Sequence, residues 1–96
     1  MKVELSDQAH EQVRLIDTWW RANRAAAPEL FTNELIAALT NLEGSSILGT
    51  KYEARGKTVR RLLLRRTHYH LYFVVQVDRL FVLAVWSTFR GEGPPL

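Results

Sequence analysis

The sequence predicts an α+β fold: a short N-terminal strand, an antiparallel helix hairpin, and an antiparallel sheet that ends in a three-strand meander. Three observations predict it. The runs VRRLLLRR (59–66), YHLYFVVQV (69–77) and LFVLAVWST (80–88) follow one another almost without a break, each long enough for one strand. The gaps between them, at Thr67-His68 and Asp78-Arg79, are short and can join only antiparallel neighbours, because a parallel crossover needs about a dozen residues or more. Upstream, two stretches carry apolar residues at helical spacing with a short link between them, which makes an antiparallel helix pair.

Each element has a local cause. Lys2 to Leu5 alternates, with Val3 and Leu5 on one side, and suits a strand. Ser6 or Asp7 caps the next segment by accepting a hydrogen bond from an orphan helix amide. Ala9, Val13, Ile16 and Trp20 then recur at spacings of four, three and four, and the helix runs to about Ala25. Pro28 opens a second helix, where a missing amide hydrogen costs nothing. Leu30, Phe31, Leu35, Ala38, Leu39 and Leu42 form its stripe, and Gly44 ends it in a left-handed conformation. Ser45 to Gly49 is a loop, Thr50 to Arg55 a short strand, and Gly56-Lys57 a turn into the meander. Gly91, Gly93, Pro94 and Pro95 rule out regular structure in the tail, residues 89–96. The 96 residues make one domain, 1–96.

The meander strands are apolar on both faces. Leu62 and Leu63 point to opposite sides, as do Phe73 and Val74, and Val85 and Trp86. The helix hairpin covers one face. The other keeps an apolar centre ringed by arginines, and such a patch calls for a partner segment lying along it.

The charge is divided. Residues 1–50 carry four basic and seven acidic side chains, net −3; residues 51–96 carry nine basic and three acidic, net +6. A basic sheet half suggests an acidic partner, either nucleic acid or protein; ordinary surface charge is the plainer reading. The chain has no cysteine, hence no disulfide and no thiolate metal site. No apolar signal core or spanning segment is evident, so no membrane role is expected and the expected location is the cytoplasm.

Candidate binding residues follow. Trp19 diverges from Trp20 by about 100° on the helix, so Trp20 belongs to the core stripe and Trp19 to the rim, as a partner anchor or a half-buried packing residue. Arg60 and Arg66 share one strand face, and Arg61 and Arg65 the other, so two arginines flank the partner on either side, or are solvated strand ends. His68 and His70, two apart on a strand, could begin a metal site but lack a third ligand; they read as a turn-flanking pair with one ring on Tyr72. A nucleic-acid reader would stack bases on Tyr69, Tyr72 or Phe73, although those aromatics lie in strands apolar enough to be core. No metal and no cofactor are called for.

The wording of the chain resembles a known family. WWRANR followed by AAPELFTNEL, then ALTNLEG, GTKYEARGKTVRRLLLRRTHYHLYFVVQVD and VLAVWSTFRGEGPPL, is similar to the RelE/ParE toxins of bacterial type II toxin–antitoxin pairs, and most similar to their ParE-like branch. The resemblance implies two helices packed on an antiparallel sheet and a cognate antitoxin, ParD-like or similar, that wraps the toxin in a hetero-oligomer and supplies the DNA contact. On the ParE-like reading the target is DNA gyrase, with Trp19, Arg60, Arg61, Arg65, Arg66, Tyr72, Trp86 and Arg90 assigned to partner surfaces. On the RelE-like reading the chain cuts messenger RNA on the ribosome, with Lys51, Arg60, Arg61 and Arg65 as the cations. That chemistry also needs a proton donor. Ser87 and Phe89 stand where RelE-like toxins place a histidine or tyrosine, which favours inhibition by binding. The tail is expected to dock across the sheet or to contact the target.

Overall fold

The structure, a computed structural model, describes residues 1–45 and 48–96. Its elements are β1 (Lys2–Leu5), α1 (Asp7–Asn23), α2 (Leu30–Gly44), β2 (Thr50–Ala54), β3 (Lys57–Leu64), β4 (Tyr69–Val75) and β5 (Arg79–Ser87). The expected α+β architecture is present, and β3, β4 and β5 form the antiparallel meander. The sheet order is β1-β5-β4-β3-β2. One relationship differs from the expectation: β1 pairs with β5 in parallel, Val3 opposite Leu80 and Leu5 opposite Val82, so the sheet is mixed. The intervening helices and strands supply the long connection that a parallel neighbour requires.

Both helix stripes face the sheet. Ala9, Trp20, Phe31, Leu35, Ala38 and Leu42 are buried against Leu64, Leu71, Phe73, Leu80, Val82 and Val85, with Val13, Ile16, Leu30 and Leu39 packed at the margin. Fully burying a side chain the size of Phe31 or Leu71 contributes about 1.5–3 kcal/mol, so this layer is the main core. Polar stitches fix the hairpin upon it. Asp17 accepts from Thr32 Oγ1 at 2.6 Å and from Arg21, joining α1 to α2. The Thr32 hydrogen bond first, and then the Arg21 hydrogen bond, hold its carboxyl below the usual range. Glu34 of α2 accepts from the amides of Arg66 and Thr67 and from Thr67 Oγ1, fixing the β3–β4 turn.

Boundaries move for identifiable reasons. α1 stops at Asn23, with Arg24 donating its amide to Trp20. Pro28 sits in the turn before α2, which begins at Leu30. Gly44 is the last helical residue and keeps a right-handed backbone; among the described residues the left-handed glycines are Gly49 and Gly56. The β2–β3 hairpin turns on Arg55-Gly56, both with positive φ, rather than on Gly56-Lys57; this pairing matches the twist of the flanking strands. β3 ends at Leu64, so Arg65 and Arg66 lie in the turn to β4 and do not extend its two faces. Within the loop expected at Ser45–Gly49, Ser46 and Ile47 lie outside the described residues.

At Leu83 the β4–β5 register slips. Tyr72 faces Ala84 and Phe73 faces Val82, which leaves Leu83 as the extra residue of a bulge. β1 has ended at this point. Ser6, the N-cap of α1, takes over by donating its hydroxyl to the Leu83 carbonyl at 3.0 Å while accepting from the Ala9 amide. Six residues further on, Gln12 accepts from the Val85 amide at 2.7 Å. α1 therefore replaces β1 along the edge of β5, and the groove described next opens beside it.

Candidate partner-binding site

A cavity of about 440 Å³ lies between α1 and the C-terminal end of β5. One wall carries Leu15, Ile16 and Trp19 of α1 and its C-cap Arg24; the other carries Trp86 of β5 and, just beyond the strand, Phe89 and Arg90. Leu15 and Trp19 are one turn apart on α1, 54% and 45% exposed, and Phe89 is 80% exposed. Trp20 turns inward, and its Nε1 donates to the Tyr69 hydroxyl at 3.2 Å. Tyr69 in turn packs edge-on against Phe31. The floor is thereby locked to the core, and the rim presents large apolar side chains to solvent.

Two cations flank this rim. The Arg24 guanidinium lies 5.3 Å from the Trp19 ring and 5.6 Å from Trp20, and that of Arg90 lies 4.1 Å from Trp86. Among the described residues no carboxylate lines the groove. Among the described residues neither arginine forms an ion pair, whereas Arg14, Arg21 and Arg79 each have an acidic partner. A groove of this shape accepts an apolar segment bearing acidic residues at its edges.

The opposite sheet face is less open than the sequence suggests. Val59, Tyr72 and Ala84 are buried there, with Tyr52, Val74, Leu83 and Trp86 around them. The tail crosses this centre. Trp86 Nε1 donates to the Glu92 carbonyl at 2.8 Å, Pro94 is buried, and Leu96 packs on the cluster. Gly93 lies so close to Tyr52 that a Cβ there would come within 2.5 Å of the phenol oxygen.

The remaining predicted residues divide among these surfaces. Arg60, on the helix side of β3, donates to the carbonyls of Leu48 and Gly49, tying down the β2 approach loop. Arg61 points to the opposite face and stacks over Tyr52. Arg65 and Arg66 are exposed in the β3–β4 turn. Tyr72 is 3% exposed, its ring edge-on to both Tyr52 and His70. Trp86 and Arg90 border the groove and the tail face together. The four cations of the ribonuclease reading do not converge: Lys51 and Arg60 are cross-strand partners, Arg61 lies on the other face, and Arg65 is in the turn at the far end of β3. The histidines also separate. His68 occupies the turn with a φ of 65° and packs near Phe89, while His70 lies on the tail face, its pKa lowered by burial and by Arg61. Tyr72 and Phe73 are buried and Tyr69 is engaged with Trp20, so none of the three presents a ring for base stacking.

Sequence reasoning named Trp19, Trp86 and Arg90 but not Leu15, Arg24 or Phe89 as binding residues. The signal for Leu15 was present: it precedes Trp19 by four, forming a second apolar row beside the core stripe.

Comparison with known proteins agrees with this architecture. The structure matches one described as the chromosomal ParDE TA system from P. aeruginosa, with a TM-score of 0.75 and 15% identity, covering 91% of this chain and 95% of that one. Among curated proteins no significant match is found. The family model for the ParE toxin of type II toxin–antitoxin system, parDE, matches residues 3–90. The chain belongs to this family of ParE toxins.

Proposed function

We propose that the antitoxin of this ParDE pair holds the toxin by an acidic, apolar segment seated in the α1–β5 groove, and that the free toxin inhibits DNA gyrase by binding it. The groove supports the first part through its exposed Leu15, Trp19 and Phe89 between two arginines that have no acidic partner among the described residues. The second part rests on one observation: Lys51, Arg60, Arg61 and Arg65 are dispersed over two faces and a turn. Cleavage of RNA needs cations and proton-transfer groups gathered around one phosphate. Inhibition by binding needs no such set. The cytoplasm, where gyrase works, is the site of action on this reading.

A supercoiling assay with purified gyrase, run beside an mRNA-cleavage assay on translating ribosomes, tests the target. Loss of supercoiling with intact message is expected. Ribosome-dependent cuts with unimpaired supercoiling would sink the gyrase reading.

A further inference from the structure

The tail face carries a second cavity, of about 180 Å³, bounded by Arg61, His70, Arg90 and residues 91–93. Two planar cations border it. Arg61 lies 4.8 Å from the Tyr52 ring centre and Arg90 4.1 Å from that of Trp86. Stacking fixes a guanidinium while leaving its N–H edges available. Among the described residues neither side chain donates to a protein acceptor, in contrast to Arg60, which spends its donors on loop carbonyls. The amides of Gly91, Glu92 and Gly93 likewise donate to no protein acceptor among the described residues. Glu92 is the one acidic residue in the lining, and it is exposed.

The arrangement selects a ligand chemistry. Donors on two sides of a small polar cavity call for an anion with acceptors in several directions. A carboxylate offers two coplanar oxygens, which a single arginine satisfies; a tetrahedral phosphate offers oxygens to both forks and to backbone amides. One face of the Tyr52 ring and one of the Trp86 ring are already covered by a guanidinium group. We infer that the cavity between Arg61 and Arg90 binds a phosphate group, held without reading sequence. This goes beyond the antitoxin reading, because Arg61 does not line the groove.

The test titrates the full chain with inorganic phosphate, against matched chloride, and separately with a short oligothymidylate. The amide resonances of Gly91, Glu92 and Gly93 and the side-chain Nε resonances of Arg61 and Arg90 are followed by NMR. Saturable shifts at these groups are expected. Arg61→Gln should weaken binding about tenfold or more, as loss of a charge-assisted contact does, and Arg14→Gln, which touches neither cavity, should leave it unchanged. Arg61→Lys, which keeps the charge and loses the fork, should weaken it severalfold and serves if the glutamine variant does not fold. Saturation by the oligonucleotide at lower concentration assigns the site to a nucleic-acid backbone, and saturation by phosphate alone assigns it to a free anion; either supports the inference. Absence of saturable shifts, or equal weakening by the Arg61 and Arg14 changes, overturns it.

Discussion

Gln12 accepts a hydrogen bond from the backbone amide of Val85 at 2.7 Å, so that a helix side chain completes the edge of a strand. β1 reaches only to Val82, and without Gln12 the Val85 amide would be left without an acceptor inside the protein. The same contact sets the distance between α1 and the end of β5. The groove thus owes its width to a structural bond.

Replacing Gln12 with leucine is expected to destabilise the fold by about 1–3 kcal/mol, the cost of an unsatisfied buried donor. Urea unfolding measures the loss. Hydrogen exchange at Val85 should accelerate more than at Leu71, in the middle of the sheet.

Gly49 has a φ of 83°, and a Cβ added there would lie 2.6 Å from the Arg61 carbonyl oxygen. Gly49→Ala should therefore cost more than about 1 kcal/mol, read as a lowered unfolding midpoint. An unchanged midpoint would mean that the loop held by Arg60 is not fixed in this conformation.

Trp19→Ala is expected to weaken antitoxin binding by about 2 kcal/mol, roughly thirtyfold. Arg24→Gln should slow association and reduce its salt sensitivity. Ile36, equally exposed on α2 but away from the groove, serves as the control: Ile36→Ala should leave affinity unchanged. Surface substitutions of this kind shift stability by about 0.5 kcal/mol or less, so calorimetry on the free toxin separates binding loss from unfolding.

His70 should titrate below the ordinary histidine value of 6.5, first because it is partly buried and then because Arg61 is near. The sign for stability follows. As pH falls, the unfolded chain takes up this proton before the folded one does, so stability is present above the ordinary histidine range and is lost as pH drops through the folded value. Arg61→Gln should raise the imidazole midpoint seen by NMR without restoring it fully, since burial is the larger cause.

Much of this was legible in the chain. The 9–13–16–20 stripe lies against the sheet, and the two-faced strands send Phe73 and Val74 to opposite layers. These patterns are local, and period alone decides them. The parallel pairing of β1 was not legible, because it depends on where a distant strand leaves an open edge. The bulge at Leu83 was also hidden, since alternation of apolar residues is blurred where both faces are apolar. Arg60, Arg61, Arg65 and Arg66 read in sequence as two pairs on opposite faces of one strand. Their separate fates, on loop carbonyls, on a tyrosine ring and in a turn, were decided by strand ends and neighbours that spacing does not report.

The most direct test is hydrogen exchange of the toxin alone and bound to its antitoxin. New protection is expected from Leu15 to Arg24 and at Phe89–Arg90, with α2 around Ile36 unchanged. Protection confined to α2, or to the tail face around Tyr52 and Gly93, would contradict that expectation.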